Sequence, residues 1–94
     1  MSDMQREAYK QKAEAQLDEL KARLDAARAR ADAASAEAKA TLAKEVDDLQ
    51  EAYEHAKSRF DEMVDAGDDA WDDARHRFQG AWDALKDKAG QLTG

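Results

Sequence analysis

Bulky apolar residues return every three or four positions along most of the chain, and no proline interrupts the pattern. That interval keeps side chains on one face of an α-helix, whereas a strand needs alternation by two. The first stretch carries Tyr9, Ala13, Leu17, Leu20, Leu24, Ala27, Ala31 and Ala34, and from Leu17 onward it is a heptad seam in which leucine gives way to alanine. Ser2 with Gln5 three residues later fits a capping box, so a helix is expected over about 3–33, roughly 46 Å long at 1.5 Å per residue. Lys12, Glu19, Arg23 and Arg30 fall opposite the seam, with Glu19 and Arg23 spaced as a helical ion pair.

A second seam, Leu42, Val46, Leu49, Tyr53, Ala56, Phe60 and Met63, ends at Gly67. Stepping by sevens from Ala31 reaches Ala38 and then Glu45, so the second seam is one position out of phase with the first. Either a continuous helix absorbs the slip through a stutter, or the chain turns between about 32 and 41 and restarts. Asp32 and Ser35 are both suitable N-caps, and a turn near Ser35 would give two helices of equal length that hide each other's seams. The hairpin is the favoured reading, with its second helix over about 36–66.

Gly67-Asp68-Asp69 is a stop followed by two acidic capping residues. Beyond it Trp71, Ala74, Phe78, Ala81, Trp82, Leu85, Ala89 and Leu92 define an amphipathic helix expected over about 69–89. Trp71 and Trp82 are eleven residues apart and therefore within about 20° of each other around its axis. Gly80, Gly90 and Gly94 should weaken it and let its end fray.

Composition decides how thick a core these helices can share. Of 40 apolar residues 22 are alanine, which leaves 18 larger ones and no isoleucine. That stock lines narrow seams between helices but cannot fill a globular interior of several layers. With 39% charged residues and a mean hydropathy of −0.97, disorder is the competing reading, and the periodicity decides for helix. The expected fold class is all-α: a long antiparallel, coiled-coil-like helical hairpin with a C-terminal amphipathic helix, in a single helical domain spanning 1–94.

Charge narrows the partners. A net charge of −7 opposes nucleic acid and anionic membrane surfaces, both of which need clustered Lys and Arg. Residues 1–34 are balanced, residues 35–66 carry −5 and residues 67–94 carry −2, an unequal set that helps to fix which helix packs on which. No apolar run approaches the roughly 18 residues that span a bilayer. The first residues lack the apolar region of a signal peptide, and a cytoplasmic location is the expectation.

Catalytic chemistry finds little footing. There is no cysteine. His55 with Glu51, and His76 with Asp72 and Asp73, offer carboxylate–imidazole pairs, fewer ligands than a closed metal site uses. Asp65, Asp68, Asp69, Asp72 and Asp73 lack the alternating ligands of a calcium loop and read as helix-capping acids. Thin hairpins offer no pocket that would tune the pKa of paired carboxylates, and Ser35, Thr41 and Ser58 have no histidine placed for a triad. The expectation is a protein that is not an enzyme, with no cofactor, no metal and no small-molecule substrate.

The element Gly67-Asp68-Asp69-Ala70-Trp71-Asp72-Asp73-Ala74, answered by Gly80-Ala81-Trp82-Asp83-Ala84-Leu85-Lys86, resembles the C-terminal signature of small bacterial coiled-coil proteins of the stress-response type. Residues 9–20, from Tyr9 to Leu20, are similar in style, and the likeness covers nearly the whole chain. It implies a long α-hairpin with an amphipathic tail, a stress-associated role and no catalytic residues to carry over.

The residues expected to mediate interaction are Leu17, Leu20, Leu24, Leu42, Val46, Leu49, Tyr53, Phe60, Met63, Trp71, Phe78, Trp82 and Leu85. For the stripe with both tryptophans, burial against the hairpin or in a dimer is favoured, with partner binding and lipid adsorption as rivals. The function expected is a helical interaction or structural protein, self-associating or a small subunit of a larger assembly, its partner being itself or another protein. The alternatives are an amphipathic coat on a lipid or polymer granule, in the manner of phasins, and a holdase-type chaperone.

Overall fold

The structure, a computed structural model, describes residues 3–93, with side chains placed through Gln91. Ser2 of the expected capping box, the side chain of Leu92 and Gly94 lie outside the described residues. Three helices follow one another: α1 (Asp3–Ala33), α2 (Ala36–Asp65) and α3 (Trp71–Thr93), with no strand among the described residues. The fold is all-α, and α1 and α2 form the antiparallel hairpin, as shown by contacts from Arg28 to Gln50 near one end and from Lys10 Nζ to the Val64 carbonyl (3.5 Å) at the other.

The one-residue slip of the seams marks the turn. α1 closes with the Ala34 N–H donating to the Ala31 carbonyl (3.2 Å), and Ser35 adopts an extended backbone as the N-cap of α2. Its hydroxyl oxygen accepts from the Ala38 N–H at 3.5 Å, satisfying one of the donors that a helix start leaves free. A continuous helix through this stretch is thereby ruled out.

At the other end of α2 the stop differs from expectation. The chain turns extended at Ala66, whose N–H bonds back to the Met63 carbonyl (3.2 Å), and Gly67 does not take the left-handed conformation that makes glycine useful after a helix. A turn over residues 68–70 follows, closed by the Ala70 N–H on the Gly67 carbonyl (3.1 Å), so α3 begins two residues later than the spacing predicts. Asp68 forms an ion pair with Arg6 of α1, which is also bound to Asp3 (2.7 Å). The corner is thus pinned to the start of α1. Neither Gly80 nor Gly90 breaks α3, which runs four residues past the expected end.

α3 folds back antiparallel to α2 and packs mainly on it, meeting α1 along a thinner line. The result is a rod of 51 × 20 × 17 Å. Its core is one continuous file of apolar side chains from all three helices, and no polar or charged residue is buried among the described residues. With 23 residues, α3 is shorter than either arm of the hairpin, so the turn end of the rod is two helices thick.

Candidate interaction surface

The widest part of the core is an aromatic cluster near the start of α1. Tyr9 meets Trp71 edge-on at 6.0 Å and Phe78 at 6.4 Å, Phe60 meets Phe78 at 5.9 Å, and Trp82 stacks on Phe78 at 6.4 Å. Edge-to-face and offset contacts of this kind add to the burial term because ring edges are positive and faces negative. Phe78 is the hub: it touches rings from α1, α2 and its own helix and is 2% exposed.

The two tryptophans occupy different environments. Trp71 is 3% exposed, walled by Tyr9 and roofed by the Arg6 guanidinium and the Lys10 ammonium, each 5.7 Å from the ring centre. Cations above an indole face are attracted to it, and their long stems exclude water. At the level of Trp82, α1 presents Ala13 and Gln16, which are too short or too polar to cover a ring, and Trp82 stays half-buried. A near-identical angle on the helix therefore leads to opposite fates, decided by the facing residue.

Around Trp82 lies a groove between α1 and α3, floored by Ala13 and Phe78 and walled by Tyr9, Lys12 and Gln16 on one side and Gln79 and Asp83 on the other. Burial pushes the Tyr9 hydroxyl above its ordinary range, against which a hydrogen bond with Gln79 pulls. Lys12 and Asp83 are exposed and form no ion pair among the described residues. On α3 near the head of the groove, Arg75 has its Nε buried without a hydrogen-bond partner and holds Asp72 only at 4.0 Å.

Of the residues expected to mediate interaction, Leu17, Leu20, Leu24, Val46, Leu49, Phe60, Met63, Trp71, Phe78 and Leu85 are buried within the single chain. They hold its own helices together. Leu42, Tyr53 and Trp82 keep a partly exposed face, and they are spread over the rod: Leu42 lies near the turn end, Tyr53 on α2 and Trp82 in the α1/α3 groove. Lys12, placed by the sequence reading opposite the seam of α1, instead borders the groove, as do Gln16, Gln79 and Asp83. Their positions beside each seam were readable; which flank would meet the third helix was not.

Two shallower depressions lie between α2 and α3. One is bordered by Asp48, Glu51, Ala52, His55 and Lys88, the other by Glu62, Asp65, Ala66, Asp73 and Arg77 among others. No group of three or more potential metal ligands comes together among the described residues. No described helix is long and apolar enough to cross a membrane. Comparison with protein-family models, with curated proteins and with solved structures found no match.

Proposed function

We propose that this chain is a non-enzymatic helical interaction protein, which associates with copies of itself or enters a larger assembly as a small subunit. The observation that carries the reading is Trp82, half-buried against Phe78 beside a groove on a rod whose other large aromatic side chains are mostly packed away. A partly exposed indole backed by a rigid ring is the kind of anchor that dominates binding energy at protein interfaces. The long, thin shape adds lateral surface along which helices can be laid. A cytoplasmic, stress-associated bacterial setting is part of the proposal and rests on the resemblance of the paired Gly/Trp elements and the absence of cysteine.

The coat and holdase readings ask more of the molecule. Both need the bundle to open and offer Leu17, Leu49, Met63 and Leu85, each no more than 2% exposed, to lipid or client. Co-purification from the native source, together with sedimentation of the purified chain, tests the proposal. Recovery in a defined protein assembly, or a mass above 10.5 kDa that grows with concentration, is the expected outcome. A chain that stays monomeric, brings down no protein and instead floats with liposomes would overturn it in favour of the coat.

A further inference from the structure

We infer that the start of α1 is a salt-sensitive strap over Trp71: the Arg6 side chain, moored by Asp3 and Asp68, keeps that indole covered, and screening of the mooring bares it while α3 stays docked on α2. The inference goes beyond the proposed function and concerns the single chain, with no partner bound.

The strap joins elements far apart in sequence. Arg6, with its side chain 16% exposed, pairs with Asp3 of its own helix at 2.7 Å and with Asp68 in the corner between α2 and α3. Its guanidinium and the Lys10 ammonium, one turn on, each lie 5.7 Å from the centre of the Trp71 ring. Lys10 has a mooring of its own, donating to the Val64 carbonyl at 3.5 Å. Tyr9 closes another side of the ring. Trp71 is therefore buried although it is the first residue of α3, and helix ends fray.

The two halves of the mooring meet water differently. Arg6 is sheltered, but the side chains of Asp3 and Asp68 are 96% and 83% exposed, so dissolved ions reach the anionic half of each pair. Such pairs contribute little to global stability and weaken as salt rises. A small change is enough here. α3 packs mainly on α2 and meets α1 along a thin line, and its buried Phe78, Ala81, Leu85 and Ala89 hold the helix beyond the strap. Release of Arg6 into solvent is then a local opening that leaves the bundle intact. Trp71 shares the α3 stripe with Trp82, and Tyr9 touches the first ring and borders the groove beside the second. Lifting the strap thus extends that groove by a second indole.

The Trp82→Phe protein, whose remaining indole is Trp71, tests this with acrylamide, an uncharged quencher. Between about 0.01 M and about 1 M sodium chloride the screening length falls from about 30 Å to about 3 Å, and quenching of Trp71 should roughly double or more. Asp68→Asn in the same background replaces a carboxylate by an amide of equal size, so cover is kept while the ion pair is lost. Its Trp71 should already quench readily at low salt and respond less to added salt. Asp87→Asn makes the same charge change at an exposed position of α3 with no ion pair among the described residues, and should behave like its parent. Far-UV circular dichroism should stay constant throughout. Quenching indifferent to salt, or an Asp68→Asn protein that matches its parent, would overturn the strap and leave the interaction reading standing. Quenching that rises only with loss of helicity would also overturn it, because the bundle would then be unfolding.

Discussion

Trp71 and Trp82 show how a few ångströms of facing side chain settle whether an aromatic becomes core or surface. Both belong to the same stripe, yet Tyr9, Arg6 and Lys10 enclose the first while Ala13 and Gln16 leave the second open. Tyr9 is placed to report on that packing. Its hydroxyl titrates above the ordinary value near 10 because burial disfavours the phenolate. The unfolded chain, with an ordinary tyrosine, gives up that proton first as pH rises, so the contribution of Tyr9 to stability is intact below about pH 10 and is lost as pH climbs through the folded-state value. Tyr9→Phe removes this linkage. Urea titrations of both proteins should show the variant losing less stability than wild type between about pH 8 and pH 11, and parallel losses would count against a buried hydroxyl.

At the scale of elements, the three helices were legible because each seam keeps a helical interval over several turns, with little β-branched residue to oppose it. The hairpin was legible too, because a one-position phase slip coincides with Ser35, a good cap. The stop at Gly67 was located, but the chain leaves α2 extended at Ala66 without using the freedom of glycine, and Asp68 is paired with Arg6. The end of α3 was placed four residues early because its glycines were expected to weaken the helix and let its tail fray. Gly80 sits inside the helix with nothing within 4 Å of where a Cβ would go. Gly80→Ala should therefore stabilise the protein by about 1 kcal/mol, the difference between glycine and alanine in a helix interior. Thermal or urea denaturation measures it, and a variant no more stable than wild type would mean that α3 is not helical through residue 80.

For the molecule as a whole, the scarcity of large apolar side chains has a different resolution from the one the seams alone suggest. Two half-covered seams invite a second chain, but α3 supplies the third wall from within, and the core closes as a single apolar file. What the sequence could not reveal was the angular position of α3 over the hairpin, because each flank of the α1 seam was an equally good neighbour for it. That position leaves α1 and α3 imperfectly joined and creates the groove around Trp82. Since no polar or charged residue is buried among the described residues, the arrangement is held mainly by shape and apolar burial.

The contrast between the two indoles requires α3 to lie docked in the isolated chain, with Trp71 enclosed and Trp82 at the groove mouth. Acrylamide quenching of the single-tryptophan proteins Trp82→Phe and Trp71→Phe, at concentrations low enough for the monomer, reads this directly. The indole remaining in Trp82→Phe should emit to the blue and resist quenching, while the one remaining in Trp71→Phe should emit further to the red and quench several times more readily, as expected for an open ring face. Equal and easy quenching of both would mean that α3 does not pack on the hairpin, and the groove would not exist.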